Sequence, residues 1–324
     1  MSRNIRRQAG FTLLELLVVV AILAAIAGTA TIALQDTDAR ASAAAHVAMM
    51  DEMNKAVRTY RVLNRNVYPN DYDALLQKAD LATAAAANDF AGNGDPELTG
   101  FGILGFEDGL ATITLTDDAA AGLNDIGITS LRYIQNDLDG DGGDTPLTCA
   151  AADLNDMINS RGNAVVAGNI FLSPAANGCG ASVALFDEAT ETSTGQRVAV
   201  WTGGYERVLG GQGAEFDVTD PVTDGSTFTA GVEGAPVLMA VGMGPGSTLF
   251  NGGELGGLSS VPVYRHVAVD QYNRFIALFD IGAIGAGGAG YTANDQVALV
   301  AIVDGAGDTK EEELGEWDGT RNTI

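Results

Sequence analysis

A single carboxylate, that of Glu15, lies within an apolar run that extends from Phe11 to Leu34. The run has 24 residues, of which 19 are apolar. As an α-helix rising about 1.5 Å per residue it would be roughly 36 Å long, which is enough to cross a bilayer. An ionisable group costs about 3 kcal/mol near the bilayer centre and less near its edge, and is usually retained for a partner. We therefore expect Glu15 to form an ion pair; the alternative is a tolerated interfacial carboxylate in a plain signal anchor.

A basic leader precedes this run and ends in the small residue Gly10. It contains no acidic residue and three cations, Arg3, Arg6 and Arg7. An ordinary secretory signal peptide is cut after its apolar stretch, whereas here the open site lies before it. Cleavage after Gly10 would remove residues 1–10, keep the apolar helix and create an amino terminus on Phe11, one helical turn from Glu15. By the positive-inside rule the arginines stay in the cytoplasm, and the bulk of the chain lies across the membrane.

The motif Gly10-Phe11-Thr12-Leu13-Leu14-Glu15 resembles the processing signature of prepilins, the class that includes type IV pilins and type II secretion pseudopilins. The resemblance implies cleavage after Gly10 and N-methylation of Phe11 by a prepilin peptidase/methyltransferase. It also implies that Glu15 pairs with the Phe11 amine of a neighbouring subunit during filament assembly. Its implied partners are copies of this chain, other pilins or pseudopilins, and an inner-membrane assembly platform. The implied location is the inner membrane, single-pass, before assembly and a periplasmic or cell-surface filament afterwards.

The helix is expected to continue beyond Leu34, because no proline occurs before Pro69. Apolar residues in this part recur at spacings of four and three and predict one buried stripe, formed by Ala45, Met49, Met53, Val57 and Tyr60. The sequence thus divides into a leader (1–10), a transmembrane or filament-core helix (11–34), an amphipathic continuation (35–63) and a globular domain (64–324).

Pro69 should end the long helix, with Asn70 or Asp71 capping a second helix over residues 71–88. The Tyr-Pro dipeptide followed by paired leucines also resembles the major pseudopilin of type II secretion. Residues 88–109 indicate a loop. Later β-branched runs between glycine turns predict strands at 197–201, 237–241, 263–269, 274–279 and 296–303, the last three antiparallel with a turn at 272–273. The expected fold class is α+β, with the long helix packed on an antiparallel sheet.

Alternating carboxylates in a glycine-rich segment predict a calcium loop. Asp137, Asp139 and Asp141 are followed by a glycine, as in the first half of an EF-hand, where every second residue directs an oxygen at the cation. The twelfth position is Thr148 and not a bidentate glutamate, so the site would be a free-standing loop completed by Asp144, a carbonyl or a distant carboxylate. An acidic Asp-Gly turn is the alternative. The later run at 303–308 has fewer oxygens and indicates a turn.

The only two cysteines are Cys149 and Cys179, and both would lie on the oxidising side of the membrane. A disulfide between them is the natural expectation, with two free buried thiols as the alternative. Closing a loop of this length would stabilise the fold by roughly 3 to 4 kcal/mol on the chain-entropy model.

Composition and motif searches argue against a nucleic-acid-binding protein or an enzyme. The net charge of −25 repels phosphate backbones. The only histidines, His46 and His266, have no metal-ligand companion at helical spacing and are expected to serve packing or the surface. Residues 285–290 match the dinucleotide glycine fingerprint, but a strand and not a helix is expected to follow, so no helix N-terminus would face a pyrophosphate.

Two functions remain. The first is a structural subunit of a pilus or pseudopilus, with the apolar helix in the filament core and the acidic domain outside. The second is a low-abundance, tip-located pilin-like adhesin or binding protein, with the glycine-rich C-terminal part as its working surface.

Overall fold

The computed structural model describes residues 13–78, 110–135, 180–202, 208, 218–220, 227–228, 232–264, 274–305 and 307–312. Contacts divide the chain into two compact units. The first comprises residues 1–45 and 312–324, and the second comprises residues 46–311.

The first element is a helix of 51 residues, α1 (Leu13–Leu63). It is continuous across Leu34, as the lack of proline predicted. After Leu63 the Asn64 N–H still donates to the Tyr60 carbonyl, and the chain then leaves the helix through two residues with positive φ, Arg65 and Asn66. This left-handed exit is the usual way for a helix to satisfy its last carbonyls.

The buried side of α1 within the second unit includes Met50, Met53, Val57 and Tyr60, together with His46, Val47 and Ala56. It differs from the predicted stripe at its start, because Ala45 is exposed and Met49 is only half-buried. The reason is geometric: a step of four residues on a helix of 3.6 residues per turn drifts by about 40°. Repeated steps of four therefore carry a side chain off the buried face, whereas mixed steps of three and four keep it there.

A second helix and twelve strands follow α1 among the described residues. In chain order they are β1 (Tyr72–Lys78), β2 (Leu110–Thr114), α2 (Asp117–Asp125), β3 (Ser130–Gln135), β4 (Gly180–Ala184), β5 (Phe186–Asp187), β6 (Thr192–Ser193), β7 (Arg197–Trp201), β8 (Val218–Asp220), β9 (Thr227–Phe228), β10 (Pro236–Gly242), β11 (Ile276–Ile284) and β12 (Tyr291–Val303). Short 3-10 turns occur at Thr248–Phe250 and Ala286–Gly288.

Eight of the described strands form one sheet, in which six run in the order β12-β11-β10-β1-β3-β4, while β2 pairs with β7 and β7 with β10. The pairs are antiparallel except β1–β3, which is parallel. The prediction of an antiparallel sheet is therefore wrong for this pair. The core unites the buried side of α1 with the sheet and includes Trp201, Tyr72, Phe275 and Phe279. The architecture is α+β, an N-terminal helix with a mostly β-sheet globular domain.

The predicted helix over residues 71–88 is wrong for residues 72–78, which form β1. β1 lies inside the sheet, between β3 and β10, and Tyr72, Ala74 and Leu75 are all buried. Alanine and leucine favour a helix in isolation, but burial between two strands outweighs a propensity of a few tenths of a kcal/mol per residue. Residues 79–88 and the predicted loop at 88–109 lie outside the described residues.

Most of the later strands are confirmed. Residues 197–201 form β7, 237–241 lie within β10, and 296–303 lie within β12. β11 begins at Ile276, two residues after the predicted start, and it pairs antiparallel with β12. Val263 and Tyr264 are not in a strand, while residues 265–269 and the predicted turn at 272–273 lie outside the described residues.

The phenol of Tyr72 is buried in this core without a hydrogen-bond partner among the described residues. Burial raises the pKa of Tyr72 well above its ordinary value, and the nearby phenols of Tyr68 and Tyr60 raise it further. The hydroxyl of Tyr68, in contrast, accepts a bond from the Leu299 N–H at 3.2 Å. A buried polar group that lacks a partner is not compensated for its loss of water. The hydroxyl of Tyr72 therefore lowers the free energy of unfolding, whereas the bonded hydroxyl of Tyr68 raises it.

We expect Tyr72→Phe to raise the free energy of unfolding by about 1 kcal/mol and Tyr68→Phe to lower it by about as much. Because the folded state holds the Tyr72 proton more tightly, stability of the wild type should also fall as pH rises above the ordinary tyrosine pKa, and less so in Tyr72→Phe. Urea unfolding of the whole chain at several pH values measures both effects. A destabilised Tyr72→Phe would show that the hydroxyl has a partner.

Candidate functional site

Of the three residues of the predicted processing and assembly site, Gly10 and Phe11 lie outside the described residues. Glu15 lies in the first turn of α1. Negative charge is favourable there, because the first turn of a helix presents N–H groups that lack intrahelical partners.

The amino-terminal part of α1 is an apolar helix whose side chains are exposed from Leu13 to Thr29. The exposed side chains are not confined to one face: Leu13, Leu14, Leu16, Val18 and Val19 point in different directions around the axis and are between 45% and 83% exposed. Soluble monomers rarely leave a continuous apolar surface of this size uncovered, and such a surface marks contact with lipid or with other proteins.

The Thr29 side chain, at the end of this exposed segment, is compatible with an apolar environment. The Thr29 hydroxyl donates to the carbonyls of Ala25 and Ile26, at 3.3 and 3.0 Å, so its hydrogen is satisfied within the helix. A Cβ on Gly28 would have no atom of the described residues within 4 Å, so none of these residues requires a glycine there. Because glycine has no side chain, the backbone of another helix can approach α1 closely at this residue.

The sequence around this helix matches one protein-family model, described as the prokaryotic N-terminal methylation motif. The match covers residues 5–31. This motif is the signature of type IV pilins and pseudopilins. It includes Gly10, Phe11 and Glu15, which the sequence predicted as the cleavage, methylation and assembly residues. No curated protein and no solved structure matches the chain significantly.

The methylation motif supports a pilin-like protein and suggests a structural role and not an enzymatic one. It implies, in general terms, assembly with other pilins and handling by a prepilin peptidase. Within the described part of the chain, none of the helices combines the length and the apolarity that a membrane span requires.

The other predicted ligand residues are not among those described. These are the calcium residues Asp137, Asp139, Asp141 and Asp144 and the two cysteines Cys149 and Cys179. Among the described residues no group of three or more histidine, cysteine or carboxylate side chains is placed to hold a metal ion. The acidic run at 303–308 is a turn, as predicted: the Asp304 carboxylate accepts from the Asp308 N–H at 2.9 Å, and its carbonyl from the Gly307 N–H.

His46 packs in the interior, which is one of the two roles predicted for the histidines. It is 3% exposed, and its ring lies 4.4 Å from the ring of Tyr264. His266 lies outside the described residues. The glycine-rich segment 285–290 joins β11 to β12, and the element that follows it is a strand and not a helix, as predicted.

A polar cluster that the sequence did not reveal fixes the start of β1. The Asn70 amide Nδ2 donates to Thr129 Oγ1 at 2.7 Å and to Ser130 Oγ at 3.1 Å. Its Oδ1 accepts from the backbone N–H groups of the same two residues, each at 3.0 Å. Asp71, at φ 56°, accepts from Ser130 Oγ at 2.7 Å and also from Ser182 Oγ. Instead of capping a helix, these two residues attach the beginning of β1 to the start of β3 and to the middle of β4.

Proposed function

We propose that this chain is a structural subunit of a type IV pilus-like or type II secretion pseudopilus filament. It would assemble through its hydrophobic N-terminal helix after leader cleavage and N-methylation. The observation that carries the proposal is the methylation motif at residues 5–31, which overlaps an apolar helix exposed from Leu13 to Thr29. A filament supplies the cover that such a surface needs, because each helix is surrounded by others of the same kind.

The chemistry of assembly follows from the cleavage. Cutting after Gly10 gives Phe11 a free amine, which is protonated at neutral pH, and methylation of an amine keeps its charge. Glu15 lies four residues further along, so a bundle of helices with a small axial offset brings the ammonium of one subunit to the carboxylate of the next. An apolar surrounding strengthens this attraction and makes an unpaired carboxylate costly, so the pair fixes the offset between subunits.

Before assembly the subunit would be stored in the inner membrane. The 24 residues from Phe11 to Leu34 would be long enough for this as one helix. The structure describes the side chains of only 17 of them, residues 13–29, which by themselves are too few for a span. The leader arginines would keep the amino terminus in the cytoplasm, with the globular domain on the other side. The same apolar helix then serves lipid first and neighbouring helices later.

The abundance of the chain in filaments tests the structural role. We expect filaments sheared from the producing cells to contain this chain as their dominant component by mass. Quantitative mass spectrometry of sheared, sedimented filaments measures it, with cells lacking the gene as the control. A chain that is scarce in filaments built from another pilin would instead be a tip-located binding protein.

We also propose a calcium ion in the loop of residues 137–144, on the sequence pattern alone. Chelation should lower the melting temperature of the purified chain, and Asp139→Ala should remove the difference between chelated and calcium-loaded samples. Asp295→Ala is the matched control, because Asp295 is an exposed aspartate outside the loop. An identical melting temperature with and without chelator in the wild type would exclude the ion.

The disulfide between Cys149 and Cys179 is proposed on the same footing. Alkylation of the unreduced, denatured chain should then add no mass, whereas alkylation after reduction should modify both thiols. Modification without reduction would show two free cysteines.

A further inference from the structure

A groove of about 760 Å³ lies between the last turns of α1 and the strand β12, at one edge of the described sheet. All its lining residues belong to the second compact unit. Those that the argument uses are Lys55, Arg58, Val62, Leu63, Val300 and Lys310.

The lining of this groove has three cations, Lys55, Arg58 and Lys310, and two carboxylates, Asp51 and Glu311, although the chain as a whole has a net charge of −25. The sequence has only three lysines, and two of them, Lys55 and Lys310, line the groove. Lys310 is paired with Asp51, at 2.6 and 2.7 Å from its two carboxylate oxygens. For Lys55 and Arg58, in contrast, the described part of the chain provides no side-chain hydrogen bond or ion pair. These two cations are available to an acidic partner.

Three apolar side chains in the lining of the groove are exposed. Val62 is 81% exposed, Leu63 is 49% exposed and Val300 is 36% exposed. A cluster of large exposed apolar side chains beside unpaired cations is typical of a binding surface. The groove therefore fits a partner surface that is both acidic and partly apolar.

The same chain carries a surface of this kind, which we call the acidic surface. It surrounds a depression of about 380 Å³ on α2 and on the turn between β5 and β6. Its carboxylates are Asp117, Asp118, Asp125, Glu188 and Glu191. Phe186, which is half-buried, and Ala121 form its apolar part, and no cation is among the described residues that line it.

We propose that the groove binds the acidic surface of a second copy of this chain. Lys55 and Arg58 would face the carboxylates, while Val62 and Leu63 would cover Phe186. Two arguments favour a second copy over an unrelated acidic protein. Copies of so acidic a chain repel one another, so close packing needs cations placed against acids. In addition, the groove and the acidic surface share no residue, so one copy can use both at once.

Such a contact is heterologous, which means that two different surfaces of the same chain meet. Heterologous contacts propagate from copy to copy, and they form an open helical array when the rotation does not close a ring. The inference rests on the proposed function, since a filament is what brings copies into this arrangement. It adds a second contact, between globular domains, to the one made by the apolar helices.

Site-specific photo-crosslinking in cells that assemble the full chain tests the proposal. A benzophenone side chain replaces Thr59, an exposed residue in the groove, or Ala286, an exposed residue in the turn before β12. From position 59 we expect a crosslinked dimer whose second attachment maps to residues 117–125 or 186–193. The probe at position 286 should give none of this dimer. A position-59 probe that captures another protein, or another part of this chain, overturns the proposal.

Charge exchange provides the second arm. Lys55→Glu combined with Arg58→Glu should lower the yield of this crosslink about ten-fold or more, because like charges then face each other. Co-expression with a copy carrying Asp125→Lys and Glu188→Lys should restore it; Asp125 ends α2, where a lysine is compatible with the helix dipole. A loss that the exchange does not rescue would overturn the contact.

Filament yield, measured in the same cells, separates the two claims. A normal filament yield from the position-59 probe variant, without the crosslinked dimer, would contradict the groove contact and leave the filament role intact. Cells in which the chain enters no filament would contradict the proposed function itself.

Discussion

Replacing Glu15 by alanine should reduce the filament yield by more than about a hundred-fold. Removing one partner of a buried ion pair costs about 3 to 5 kcal/mol, because the remaining charge stays in an apolar environment without compensation. In the proposed filament every subunit contributes one such pair, so each added subunit would lose this energy. At about 1.4 kcal/mol per factor of ten, the loss per contact exceeds a hundred-fold in the association constant. The unassembled chain should accumulate in the membrane.

Two variants make this experiment specific. Glu15→Gln keeps the size of the side chain and removes only its charge, so we expect it to fail as Glu15→Ala does. Glu52→Ala removes an exposed carboxylate from the carboxyl-terminal part of the same helix and should leave the yield unchanged. The filament yield is measured by shearing and sedimentation, with the total amount of chain in the cells as reference. Normal filament yield from Glu15→Ala would contradict the assembly mechanism.

Replacing Asn70 by alanine should lower the free energy of unfolding by about 2 to 3 kcal/mol. Its side chain makes four hydrogen bonds, two to the backbone N–H groups of Thr129 and Ser130 and two to their hydroxyls. Each such bond contributes about 1 kcal/mol, and the partly exposed ones contribute less, because water replaces the lost partner. The Asn70 backbone stays bonded to Thr248 in the variant, so the loss isolates the side chain.

Asn251→Ala provides the matched control. The Asn251 side chain is exposed and accepts one local bond, from the Gly253 N–H at 3.1 Å, so we expect a loss of about 0.5 kcal/mol or less. Urea unfolding of both variants gives the comparison. Equal stability of the two variants would show that the cluster at Asn70 does not hold β1 in the sheet.

Elements that are determined by neighbouring residues in the sequence could be predicted, whereas elements that are determined by contacts between distant parts of the chain could not. The continuous α1 and the strands at 197–201, 237–241 and 296–303 follow from local patterns, namely a long stretch without proline and β-branched runs between glycines. β1 could not be predicted in this way. Its helix-favouring residues are held extended by strands that begin about 60 and 160 residues later in the chain, and the bonds of Asn70 come from one of them.

The candidate sites divide in the same manner. Roles for Gly10, Phe11 and Glu15 could be predicted because a processing signal is read along the sequence, and the methylation motif spans all three residues. The groove could not, since Lys55 and Arg58 meet Val300 and Lys310 only after folding. The observation that indicates this binding surface is a pair of exposed cations without an ion pair in a strongly acidic chain. Exposure and pairing are known only from the folded structure.

The mass and sequence of the native amino terminus test the central claim most directly. Chain purified from producing cells should begin at Phe11, with its amine methylated, and should retain the whole apolar helix. Tandem mass spectrometry of the amino-terminal peptide distinguishes the possible outcomes. A chain that begins at Met1, or one that is cut near Leu34 so that the helix is lost, would contradict the account.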